Sequence, residues 1–370
     1  MLDELDLTDL SGRSGLKWVK ATAVGAIPAW VADMDFPIPD PVRETLRSAA
    51  GGDLGYPAWD DDPRDNPLID VYVERTARRH GHRPDPAGIR LFTEVIQALQ
   101  AVLHVTTAPG DAVAMHTPSY PPFLETIERM GRRLVPLPLT DRGEGHVFDP
   151  SPLAGCAALI LVNPQNPTGR VFTERELSGI ATLAREHDVL VIADEIHSDL
   201  VHDPHRHLPF APLAPERTVT LNSASKAFNL AGLRCAVADV AVPRVREALD
   251  RLPPMLLGQP GTLGVLGTVA AWEHGDPWLT EVRGLLDRNR RLVAEAFPRQ
   301  RPPEATYLAW LDLHELGDDP AARVLTEAKV MLSPGPDFGP GGAGFARLNF
   351  ATSRPVLEEV LRRLETIRSE

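Results

Sequence analysis

Residues 157–195 read AALILVNPQNPTGRVFTERELSGIATLAREHDVLVIADE, and this stretch decides the fold. Two apolar runs, AALILVN (157–163) and VLVIADE (189–195), flank TERELSGIATLAREH (173–187), whose apolar positions recur with a helical period. Strand, helix and strand in such close succession form the unit of a parallel sheet. Neither run alternates apolar with polar residues, so both faces need cover and the sheet needs helices on each side. Thr173, with Glu three residues on, reads as a capped helix start.

Outward from this unit the same alternation continues. DAVAMH (111–116), RRLVPLPL (132–139) and TVTLNSA (218–224) read as strands, and VIQALQAVLHVT, FLETIERMG and RVREALDRL as helices. Residues 1–45 read as irregular, broken by Gly, Pro and Trp around PAWVADMDFPIPDP. A helix begins near Pro41 and another runs through LIDVYVERTARRHG. Beyond about residue 245 the character changes to long helical periodicity, then TYLAWLDL and ARLNFA as strands and RPVLEEVLRRLETIRSE as an amphipathic helix. The expectation is an α/β fold in three parts. An N-terminal segment (1–45) associates with a smaller α+β C-terminal domain (246–370), and a large domain (46–245) carries a mostly parallel sheet.

Composition narrows the function. A net charge of −13 disfavours nucleic acid and anionic membrane as partners. No apolar run is long enough to span a bilayer, and the acidic MLDELDLTDL start lacks the apolar region of a secretory signal, so a cytoplasmic location is expected. Cys156 and Cys235 make neither a disulfide framework nor a metal spacing. His202, His205 and His207 lie in a Pro-containing loop without an acidic or thiolate partner at sensible range, so no metal is expected. Lysines stand only at 17, 20, 226 and 329.

Four groups fall near strand ends, where open α/β sheets place their ligands. In SASKAFNLAGLR (223–234), Lys226 follows a strand among small hydroxyl residues. Burial lowers an amine's pKa, and a neutral amine attacks an aldehyde; otherwise Lys226 is a surface lysine in a Ser-rich loop. Ser223, Ser225 and Arg234 offer donors suited to a phosphate. In VIADEIH (191–197), Asp194 ends an apolar strand and needs a partner, whether a pyridinium N–H, a helix start or an ion pair. His197 either reaches the same ring or is structural. In NPQNPTG (163–169), two Asn-Pro pairs and a Gly make a preformed turn that can aim the Asn166 amide at a phenolate oxygen, or is a turn and nothing more. Arg347 in ARLNFA needs an anion, either a substrate carboxylate or an internal Asp or Glu. Tyr120 stacks on an aromatic ring or belongs to the core, and Tyr56 donates to phosphate or caps a turn.

Taken together, these groups resemble the fold-type I pyridoxal-phosphate enzymes of the aminotransferase class I/II family. Within it the chain looks most like the MalY/PatB cystathionine beta-lyase (C–S lyase) branch. The strings that carry the likeness are WVADMDF (30–36), LGYP (54–57), ADEIHSDL (193–200), SASKAFNLAGL (223–233), TYLAWLD (306–312) and FARLNFAT (345–352). The resemblance implies pyridoxal 5'-phosphate on Lys226, Asp194 at the pyridine nitrogen, Asn166 at the ring oxygen and Tyr120 stacked on the ring. It also implies phosphate on Ser223, Ser225 and Arg234, a substrate carboxylate on Arg347, and a homodimer in which Tyr56 reaches the neighbouring subunit's phosphate. The activity implied is α,β-elimination on a cysteine S-conjugate, with transamination or a decarboxylating relative as alternatives. Two departures stand out. The phosphate loop has TEVIQ (93–97) where the branch usually has a Gly, leaving the Val95 and Ile96 N–H groups as donors and placing Glu94 beside them. Arg234 lies eight residues after the lysine, as in aminotransferases.

Overall fold

Leu190–Asp194 is buried at every position, and its side chains divide between two cores. Leu190 and Ile192 enter one cluster with Leu99 and Val102, while Val191 and Ala193 enter another with Leu177 and Ile180. Period-two alternation sends successive side chains to opposite faces, so a strand apolar throughout needs helices on both. The computed structural model, which describes residues 3–141, 146–147 and 153–368, supplies them. Val95–Thr106 and Pro243–Asp250 cover one face and Glu174–Glu186 the other.

Seven strands form the large sheet: β1 (Ile89–Phe92), β2 (Ala112–Thr117), β3 (Arg133–Pro138), β4 (Ala158–Val162), β5 (Leu190–Asp194), β6 (Thr218–Asn222) and β7 (Ala236–Val240). Their order is β1-β7-β6-β5-β4-β2-β3, with β7 antiparallel to both its neighbours and the other pairs parallel. β1 and β7 escape a reading of apolar runs because Arg90 and Asp239 interrupt them. The register decides where the chemistry gathers. Val162 pairs with Asp194 and Asp194 with Leu221, so the loops leaving β4, β5 and β6 emerge side by side. The reversal at β7 brings its start to the same edge, since Val237 pairs with Asn222 and Ala236 with Phe92. Arg234, just before β7, and Thr93–Ile96, just after β1, therefore meet the loops of the parallel strands.

The smaller α+β domain holds a three-stranded antiparallel sheet, β8 (Leu308–Asp312), β9 (Ser333–Pro334) and β10 (Phe345–Asn349), in the order β8-β10-β9. Helices Asp276–Ala296, Pro320–Glu327 and Arg354–Arg368 accompany it. The expected capped start is present, with Thr173 and Glu176 forming a reciprocal capping box.

The first 45 residues are not irregular throughout. Leu7–Ser11 and Leu16–Thr22 are helical, and Asp40–Ala50 begins a third helix. The first is nucleated by Asp6, which accepts from the Thr8 and Asp9 N–H groups while Asp9 answers with its own carboxylate. Helices this short lack the periodicity that would reveal them. Residues 27–36 cross the molecule as a strap. Ile27 and Pro28 pair with Val330 and Met331, and Asn349 Nδ2 donates to the Val31 and Asp33 carbonyls. Asn229 grips the strap from the other side, accepting from Met34 N–H and donating to the Met34 and Phe36 carbonyls. Asp35 is buried, ion-paired to Lys17 at 2.8 Å and accepting from Trp18 Nε1 at 2.7 Å.

Candidate active site

The lysine loop is shaped by its first residue. Ser223 caps the short helix Ala224–Ala227, accepting from Ser225 N–H, and its hydroxyl donates to the Cys235 carbonyl at 2.6 Å. That helix turns the Lys226 side chain into a cavity lined also by Tyr120, Asn166, Asp194, His197, Ser225 and Arg234. Lys226 Nζ donates to the Ala32 carbonyl of the strap at 3.1 Å, and Tyr307 Oη donates to the same oxygen at 2.8 Å. Burial lowers the amine's pKa, with Arg347 and Arg234 adding to the effect and Asp33 and Asp194 opposing it. The surface-lysine alternative is excluded.

Asp194 ends β5 with one oxygen accepting from Ile196 N–H at 3.1 Å. No cation bonds to it among the described residues. Burial pushes its pKa up to about 7, Glu195 adds to that, and Lys226 opposes it. His197 is buried, with Nδ1 lacking a partner among the described residues. Burial, then the charges of Lys226 and Arg347, pull its pKa down to about 3, so the ring is neutral.

In the NPQNPTG turn, Gly169 takes φ +72°, and a Cβ there would lie 2.3 Å from Pro303 Cβ. Its carbonyl accepts from the Glu304 and Ala305 N–H groups, so the turn is stitched to the chain entering β8. Asn166 Oδ1 accepts from Arg347 Nη1 at 2.9 Å, leaving the NH2 group as a donor facing the cavity.

Arg347, in β10, is 4 % exposed and makes its hydrogen bonds to neutral acceptors: Asn166 Oδ1, the Trp30 carbonyl and Ser333 Oγ. Its guanidinium lies over the Phe338 ring, 4.9 Å from the centroid. With no carboxylate bonded to it among the described residues, burial pulls its pKa down to about 10. The internal salt bridge that would have explained this arginine is therefore absent there. Tyr120 caps the helix Pro121–Arg129, with its ring edge-on to Phe123, and burial raises its phenol pKa.

Val95 and Ile96 open the helix Val95–Thr106, whose first-turn N–H groups have no acceptor within the helix. Glu94, the N-cap residue, is ion-paired with Arg234 Nη2. Tyr56 stands apart from this cavity. It is 93 % exposed, beside Leu54, Trp59 and Gln259. His202 and His207 have structural partners, the Thr306 carbonyl and the Glu195 carboxylate.

Reading the sequence missed the Ala32 carbonyl, Tyr307 and Asn229. Their roles come from contacts across 193–275 positions of chain, for which no local pattern exists.

A model of aminotransferase class I and II matches residues 37–364. The chain belongs to the aminotransferase class I/II family. Within that family it lies close to the MalY/PatB cystathionine beta-lyase branch of fold-type I pyridoxal-phosphate enzymes. It is 34% identical to cystathionine beta-lyase PatB of Bacillus subtilis, over 96% of either chain. Among solved structures it resembles cystalysin from Treponema denticola, which contains pyridoxal 5'-phosphate, with TM-score 0.89, 27% identity and 96% of each chain covered. It also resembles a pyridoxal-phosphate-bound C–S lyase from Staphylococcus hominis, with TM-score 0.88, 26% identity and 100% and 99% covered.

This aminotransferase-family cavity fits the cofactor. A desolvated amine stands near a buried carboxylate that lacks a cation, an amide donor faces the space between them, and a helix start with Ser225 and Arg234 offers donors to an anion. Two features oppose it: the Ser223 hydroxyl proton is held by the Cys235 carbonyl and must be released before it can serve a phosphate, and the Glu94 carboxylate occupies Arg234.

Proposed function

We propose that the protein is a pyridoxal-phosphate-dependent C–S lyase that eliminates a thiol from a cysteine S-conjugate, leaving pyruvate and ammonia. The observation that carries this reading is one cavity lined by the desolvated Lys226 amine, the buried Asp194 carboxylate and Asn166, whose amide oxygen accepts from the buried Arg347 guanidinium, which bonds no carboxylate among the described residues. The cofactor is pyridoxal 5'-phosphate, and when bound it supplies a sink for the electron pair released at the substrate Cα. Lys226 would hold it covalently, Asp194 would keep a proton at the pyridine nitrogen, and the Asn166 amide would donate to the ring oxygen. His197 and Tyr120, which line the same cavity, would contact the ring. The Val95 and Ile96 N–H groups, Ser225 and Arg234, with Ser223 once its proton is released, would hold the phosphate, and Tyr56 of a second copy of the chain would complete that cradle.

Arg347 binds the substrate carboxylate through the planar fork of its guanidinium and so fixes which Cα bond faces the ring. Lys226 Nζ, once free of the cofactor and kept neutral by burial, would take the Cα proton. Loss of that proton lets the Cβ–S bond break with its electron pair leaving on sulfur, which takes up a proton as the thiol, and the released aminoacrylate is hydrolysed by water to pyruvate and ammonia. The Ala32 carbonyl, shared by Lys226 and Tyr307, aims the amine for this transfer.

Support for elimination over transamination comes from the relatives named cystathionine beta-lyase and C–S lyase. The aminotransferase-like spacing of Arg234 favours the alternative. Purified protein incubated with cystathionine and S-alkyl cysteines, without any keto acid, should form pyruvate, and Lys226→Ala should form none. Turnover that appears only when a keto acid is added would make the protein a transaminase. Activity that survives in Lys226→Ala would end the cofactor reading altogether.

A further inference from the structure

Glu94 is the N-cap residue of Val95–Thr106, yet its carboxylate makes no capping bond to the helix. It reaches Arg234 instead, and the two side chains form an ion pair that is about half exposed, at 37% and 54%. Arg234 is held in place by its backbone. It takes φ +55° at the end of the turn Ala231–Leu233, directly before the strand Ala236–Val240. Glu94, Val95, Ile96, Ser225 and Arg234 line the same cavity as Lys226. A phosphate seated on the helix start would meet its strongest positive charge in Arg234 and its nearest negative charge in Glu94.

We infer that Glu94 is a brake on cofactor binding: its carboxylate competes with the cofactor's phosphate for Arg234 and sets the affinity below what the cradle allows. This rests on the pyridoxal-phosphate reading above and extends it to how readily the cofactor is gained and lost. The physical basis is a like charge. A dianionic phosphate gains from the helix N–H groups and the guanidinium, whereas a carboxylate on the same guanidinium removes part of that gain and repels the newcomer. Because the pair is partly solvated, the effect is moderate, on the order of five- to tenfold in affinity.

The test compares wild type with Glu94→Gln and Glu94→Gly after the cofactor has been stripped, titrating each with pyridoxal 5'-phosphate and, separately, with pyridoxal. Binding is read from the visible absorbance that appears when the cofactor joins the lysine. Both variants should bind pyridoxal 5'-phosphate about five- to tenfold more tightly than wild type, while pyridoxal, which lacks the phosphate, should change less than about twofold. Equal or weaker binding of pyridoxal 5'-phosphate by the variants overturns the inference and makes Glu94 a support for Arg234. An equal gain for pyridoxal overturns it too, since the effect would not be on the phosphate. If wild type fails to take up pyridoxal 5'-phosphate at all, the cofactor reading falls and this inference with it.

Discussion

Replacing Arg347 with Met should separate binding from stability in a way that few active-site changes do. The guanidinium is 4 % exposed and bonds to Asn166 Oδ1, the Trp30 carbonyl and Ser333 Oγ, at 2.9, 3.1 and 3.3 Å. Burial without a bonded carboxylate brings its pKa from 12.5 to about 10, which corresponds to roughly 3 kcal/mol of cost in carrying the charge. Removing the charge recovers that cost. Losing three hydrogen bonds from a charged donor forfeits about 1.5 kcal/mol each, the low end for such bonds. Met fills most of the volume and can keep contact with Phe338. The two sides nearly cancel, so the melting temperature should move by no more than about 3 °C. Substrate binding has no such compensation. Truncating one member of a buried charge pair costs about 2–5 kcal/mol, so kcat/KM should fall between about 30-fold and several thousand-fold, mostly through KM. Steady-state kinetics on a thioether amino acid and a thermal melt of the same preparation measure both. A KM within threefold of wild type, or a melt more than about 10 °C lower, would refute the reasoning and make Arg347 a structural prop.

Two further predictions follow from the site's surroundings. Asp194 has a folded pKa of about 7, above its ordinary 3.8, so its contribution to the stability of cofactor-free protein is fully present below about pH 4 and is lost as pH rises to about 7. Thermal melts across that range should show Asp194→Asn gaining on wild type by up to roughly 4 kcal/mol, and a difference independent of pH would show that the carboxylate titrates normally. Asn229→Ala removes three hydrogen bonds to residues 34–36 at a position with φ +59°. It should cost about 3–4 kcal/mol in a denaturant melt and also lower kcat, because Ala32, which receives the Lys226 amine, rides on the same strap; unchanged kcat in a folded variant would show that the strap does not aim the lysine.

The strongly apolar runs and the long periodic helices were legible in the sequence. Val95–Thr106 falls where its pattern places it, and the five strands read as apolar runs all enter the large sheet. β1 and β7 were not, since Arg90 and Asp239 break their apolar runs. The two short N-terminal helices were hidden because one or two turns carry no period. The placement of three candidate residues at strand ends was equally legible. Lys226, Asp194 and Asn166 each follow or end an apolar run, and parallel register brings such ends together.

Local chemistry, written in order along the chain, determined by itself the α/β fold, the amine at 226 and the carboxylate at 194. Each depends on residues within a turn or a strand of one another. Only tertiary structure decided what faces them. Ala32 receives the amine, Arg347 is buried without a bonded carboxylate among the described residues, and Glu94 turns toward Arg234 rather than to its own helix. Those outcomes depend on which distant backbone and charges arrive at one point in space, and desolvation there sets protonation in a way that no neighbour in sequence can.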